Sequence, residues 1–107
     1  NFGPSDSSVM TVEEIVKKSI EIWGSGSYAI DPSEHPHEAN LLKLDVSKTL
    51  KKLGWTSKLT PLRALKLTLE WYLSFYHEGI PLDCSISQLT SYSSPISNAK
   101  GLRTSHK

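Results

Sequence analysis

Residues 60–79 read Thr60-Pro61-Leu62-Arg63-Ala64-Leu65-Lys66-Leu67-Thr68-Leu69-Glu70-Trp71-Tyr72-Leu73-Ser74-Phe75-Tyr76-His77-Glu78-Gly79, and this stretch decides the fold class. Thr60 is a good N-cap, and Pro61 suits the first helical position, where its missing N–H costs nothing. A helix is predicted from Pro61 to about His77, ended by Gly79 and Pro81. Leu62, Leu65, Leu69, Tyr72 and Tyr76 make one apolar stripe at helical spacing. Leu67, Trp71 and Phe75 make a second on another side. A helix apolar on two sides is covered on two sides. Either a partner covers one of them, or the chain is a piece of something larger.

Upstream, Val12, Ile15, Val16, Ser19, Ile20 and Trp23 form a single stripe, which predicts a first helix. Thr11 caps it, Glu14 completes a capping box, and Gly24-Ser25-Gly26-Ser27 stops it. Ser27–Asp31 alternates and reads as a short strand, and Asn40–Asp45 as a second. Between them Pro32 and Pro36 forbid regular helix. Asp45 is placed to cap a short helix carrying Val46, Leu50 and Leu53, with Gly54 past its end. Trp55 is expected to fold back over that helix as core. Beyond Cys84 the sequence turns serine-rich, with a weak helical turn around Ile86–Tyr92. Residues 93–107 read as a disordered tail. The expected fold is mostly α with a small two-stranded β element, as one unit over 1–92.

Length and composition set the limits. A chain of 107 residues, 37% hydrophobic and 21% charged, makes one small domain at most. No apolar run approaches the ~18 residues a membrane helix needs, so no membrane partner is expected. The chain opens on Asn1-Phe2-Gly3-Pro4 without a basic-then-apolar leader, and its lone Cys84 makes no internal disulfide, so the expected compartment is cytoplasmic. Cys84 itself reads as a small buried side chain. The net charge of +1 hides an asymmetry. Residues 1–38 hold two lysines against seven acids, a net of −5, and residues 39–107 hold ten basic against four acidic residues, a net of +6. No strongly basic face is interleaved with aromatics, so nucleic-acid binding is not expected.

Few chemical motifs are present. No phosphate-cradling G-x-G-x-x-G or G-x-x-x-x-G-K-[ST] occurs, nor C-x-x-C, nor H-E-x-x-H. Glu34-His35-Pro36-His37-Glu38 stands out instead. Two histidines and two acids between prolines allow three readings. His35 and His37 are two ligands of a metal shell that lacks a third; or the segment is a solvated polar turn; or it grips a ligand. In the last case a histidine donates to phosphate oxygens and a glutamate accepts from the paired hydroxyls of a sugar.

From Asn1 to about Tyr92 the sequence resembles the C-terminal part of CDP-glucose 4,6-dehydratases, extended short-chain dehydrogenase/reductases acting on nucleotide sugars. The resemblance rests on Asn1-Phe2-Gly3-Pro4, Thr11-Val12, Trp23-Gly24, His35-Pro36-His37-Glu38-Ala39, Leu42-Lys43-Leu44-Asp45, Ser47-Lys48, Leu53-Gly54-Trp55, Ala64-Leu65, and Thr68 with Glu70-Trp71-Tyr72. The resemblance implies a parent lyase whose Rossmann domain binds NAD and carries a Y-x-x-x-K pair. That parent oxidises the sugar at C4, eliminates water across C5–C6 and returns the hydride to C6. Neither the glycine fingerprint nor Y-x-x-x-K is in this chain, so it is expected to hold no cofactor, metal or catalytic residue. Its implied role is the substrate-binding lobe, itself non-catalytic, with weak affinity for a CDP-sugar nucleotide. Residue by residue, the resemblance places His35 near the diphosphate, Glu38 on the ribose hydroxyls and His37 between them. Helix 61–77 is then a surface for self-association or for docking on a Rossmann domain. The alternative reading is a small helical protein-interaction module docking through the same helix.

Overall fold

The structure, a computed structural model, describes residues 1–5, 8–33 and 43–94. Among these, four helices follow in order: α1 (Val12–Trp23), α2 (Ser47–Leu53), α3 (Pro61–Glu78) and α4 (Leu82–Ser93). The fold is mostly helical.

α1 begins where its cap predicts. The Thr11 hydroxyl accepts from the Glu14 N–H at 3.2 Å, and the Glu14 carboxylate accepts from the Thr11 N–H at 2.7 Å. Both halves of the capping box are made, so two of the helix's orphan donors are satisfied. At the other end Gly24 takes the left-handed conformation (φ 89°), and its N–H donates to the Ile20 carbonyl.

The short strand expected at Ser27–Asp31 is absent; among the described residues no strand forms. The physical reason lies in the glycines before it. Gly24 and Gly26 both have positive φ, and Gly26 lies so close to α1 that a Cβ there would stand 3.3 Å from Ile20 Cγ1. The chain therefore reverses tightly and returns along its own helix. The Tyr28 hydroxyl donates to Glu13 Oε1 at 2.9 Å, at the start of α1. About 15 Å of helix separates Glu13 from Trp23, a length that five extended residues span. Of the second expected strand, residues 40–42 lie outside the described residues. Lys43–Asp45 runs beside the N-terminal segment without a ladder: Asn1 Nδ2 donates to the Asp45 carbonyl at 3.4 Å, and Gly3 lies against Leu44 and Val46.

α2 starts one position later than its Asp45 cap implies. Val46 occupies the cap position without a side-chain bond (φ −102°, ψ 9°). Asp45 instead closes an Asx turn, accepting from both the N–H and the hydroxyl of Ser47. The buried Thr49 donates its hydroxyl to the Asn1 carbonyl and pins the N-terminal segment to α2. Trp55, expected to cover α2, is half-buried and packs edge-on against Phe2, ring centroids 5.0 Å apart and planes at 87°. Phe2 reaches the indole because the Asn1–Thr49 bond holds the N-terminus there.

α3 carries the architecture, capped by Thr60, whose hydroxyl accepts from the Arg63 N–H at 3.2 Å. α1 packs along it, and Trp23 meets Tyr76 edge-on at 5.8 Å. The other side takes α4. What reads as one weak turn around Ile86–Tyr92 is a twelve-residue helix starting at Leu82. The two-sided apolar pattern of α3 is thus answered within the chain, by α1 on one side and α4 on the other. Neither cover is deep. No aliphatic or aromatic residue among those described is buried; only Thr49 and Pro81 are. No described helix is long and apolar enough to cross a membrane.

Candidate functional site

The three site residues read from the sequence, His35, His37 and Glu38, lie outside the described residues. The chain on either side of them is described. Upstream, Tyr28 is held by Glu13, which also pairs with Lys17 at 3.0 Å. These contacts hold the Glu13 carboxyl below its ordinary range, the bond from Lys17 first and that from Tyr28 second, and they raise the Lys17 ammonium. Asp31 then accepts from the Ser33 N–H at 2.9 Å, a second Asx turn immediately before Glu34. Downstream, Lys43 and Leu44 line a cavity of about 280 Å³ with Pro4, Val9, Met10 and Ile15. Tyr28 on the upstream flank bonds the first turn of α1, and Leu44 on the downstream flank lines a cavity with Ile15 of the same helix. The Asp45 carboxyl beyond is also held below its ordinary range, by the Ser47 hydroxyl and then the Ser47 N–H.

Sequence reasoning missed a second feature, the groove between α3 and α4, because it left α4 as a single turn. The groove has a volume of about 590 Å³, with Leu67, Trp71, Tyr72, Leu89 and Tyr92 on its walls. Its floor is set by hydrogen bonds. Trp71 Nε1 donates to the Ser85 hydroxyl at 2.9 Å, Ser85 donates to the Pro81 carbonyl at 2.9 Å, and Gln88 Nε2 donates to the Leu67 carbonyl at 2.7 Å. Lys58 closes one end, its ammonium 4.8 Å from the centre of the Tyr92 ring and donating to the Tyr92 carbonyl at 3.4 Å. That places a cation at the negative end of the α4 dipole. The sequence signal was there: Ser85, Gln88 and Tyr92 recur at i, i+3 and i+7, a polar-aromatic stripe turned toward α3.

This arrangement positions α4 by polar contacts and leaves Leu82 and Ile86 outside the groove exposed, with Leu89 on the groove wall exposed as well. Trp71, Ser85 and Gln88 each already donate a hydrogen bond within the chain. Among the described residues no cluster of histidine, cysteine or carboxylate side chains could hold a metal. Cys84 is half-buried on α4.

Comparison with known proteins bears on the whole chain. It is 38% identical over 95 residues to the CDP-glucose 4,6-dehydratase of Salmonella typhimurium. The match takes in 88% of this chain. It covers 26% of that protein, so the chain spans about a quarter of the length of the curated relative it matches. No family model matches the chain, and no solved structure matches it.

Proposed function

We propose that the chain is the nucleotide-sugar-binding portion of a CDP-glucose 4,6-dehydratase-like enzyme of the extended short-chain dehydrogenase/reductase type. The observation that carries this reading is the 38% identity over nearly the whole chain, which spans the His35-Pro36-His37-Glu38 motif. In it His35 donates to the diphosphate, Glu38 accepts from the ribose hydroxyls, and His37 lies between them. The described flanks support the placement: Tyr28 bonds Glu13 and Leu44 lines a cavity with Ile15, so both flanks lie near the N-terminal half of α1. NAD does not fit this chain, whose sequence offers neither a phosphate-cradling glycine loop nor a Y-x-x-x-K pair. The chain's own contribution is therefore to bind and orient the nucleotide, which is catalysis by positioning. The parent reaction belongs to the longer protein, and a docked Rossmann domain belongs with it.

The test is calorimetric titration with CDP-glucose. Glu38→Gln keeps the shape of the side chain and removes charge-assisted acceptance, worth ~1.5–3 kcal/mol per bond, so affinity falls roughly 10- to 150-fold. His35→Ala weakens binding as well, and wild-type affinity declines as pH rises through the histidine range and the imidazole loses its proton. His106→Ala leaves affinity unchanged. Equal affinities in wild type, Glu38→Gln and His35→Ala overturn the site assignment.

A second reading, a helical protein-interaction module, is favoured by the exposed apolar residues of α4, Leu82 and Ile86 outside the groove and Leu89 on its wall. It predicts no CDP-glucose binding by the wild-type chain in the same titration.

A further inference from the structure

We draw no further inference here: the strongest candidate, the exposed apolar patch of α4 formed by Leu82 and Ile86 beside the α3–α4 groove, carries nothing because nothing in the structure shows what covers it.

Discussion

Replacing Trp71 by alanine should release α4 from α3. The indole stacks on Phe75 with ring centroids 5.8 Å apart and planes 4° from parallel, meets Tyr72 edge-on at 5.2 Å, and donates to Ser85. A core Trp→Ala costs about 3–5 kcal/mol, and the open groove beside Trp71 puts this one near the lower end, at ~3 kcal/mol. α4 has no buried residue to set against that loss, and a twelve-residue helix is marginal on its own in water. Once undocked it should melt. The four helices together hold 49 residues and α4 holds 12 of them, so the helical far-UV circular dichroism should fall by about a quarter. Trp71→Phe isolates the hydrogen bond. Ser85 keeps its own acceptor in the Pro81 carbonyl, so the cost is that of one neutral bond, about 1 kcal/mol, and α4 stays in place. Ile86→Ser, at an exposed position outside the groove, should leave helicity unchanged. Amide hydrogen exchange across residues 82–93 reads the same equilibrium locally. If Trp71→Ala keeps full helicity and full α4 protection, the indole is not what docks the helix. If Ile86→Ser melts α4 instead, the docking face has been assigned to the wrong side.

Thr11→Ala removes one half of the capping box and should cost about 1 kcal/mol in a denaturant titration, with α1 fraying first; an unchanged midpoint argues against the cap. Gly24→Ala places a side chain at φ 89° with open space around it, so backbone strain alone should destabilise by about 1 kcal/mol, and Gly24→Asn by less, since asparagine tolerates the left-handed region. Glu13, Glu14 and Asp45 all have lowered carboxyl pKa values, through Lys17, the Thr11 N–H and the Ser47 hydroxyl respectively. The folded state therefore binds protons less readily than the unfolded one, so their stabilising contribution is complete above the ordinary carboxylate range and is lost as pH falls through the lowered values. Acid titration followed by circular dichroism should show stability falling below about pH 4, with a shallower slope in Glu14→Gln; an identical slope removes the capping carboxylate from the account.

The helices were legible where a terminus carried its own signal. Thr11 with Glu14, Thr60 with Pro61, and the glycines at 24, 54 and 79 specify their ends through local hydrogen bonding and backbone sterics, which three or four residues are enough to encode. The misreadings share a cause: each needed a contact distant in sequence. Ser27–Asp31 alternates like a strand, yet a strand exists only with a ladder partner, and the reversal at Gly24 and Gly26 gave Tyr28 a carboxylate on α1 instead. α4 read as a weak turn because serine and threonine are mediocre helix formers, and its stability comes from Gln88, Ser85 and Tyr92 meeting α3. Trp55 went to Phe2, 53 residues away in sequence, which nothing near Trp55 announces. The candidate site rests on resemblance alone, and its residues lie outside those described. Residue types alone left the Glu34–Glu38 segment open among a metal pair, a polar turn and a nucleotide grip, because histidines and glutamates between prolines serve all three chemistries.

Surface and core give the last step. α3 is apolar on two sides, α1 covers one and α4 the other, and still no aliphatic or aromatic side chain among the described residues is buried. Burying a leucine or phenylalanine yields about 1.5–3 kcal/mol relative to leaving it in water, and side chains left partly exposed keep only a fraction of that. Tyr76 remains 70% exposed and Leu89 66% exposed, although both lie on faces already touched by a neighbouring helix. A sequence with Trp23, Trp55 and Trp71 placed at helix ends and helix contacts has the material of a core, but the described elements do not close over it. α1 and α3 are capped by threonine side chains and α4 is hydrogen-bonded to α3, so the order of these elements rests on local bonds and polar docking more than on apolar burial. Such an arrangement holds its segments in position only as firmly as its hydrogen bonds allow. That makes Trp71 and Gln88, rather than the leucines, the residues on which the integrity of the α3–α4 pair depends.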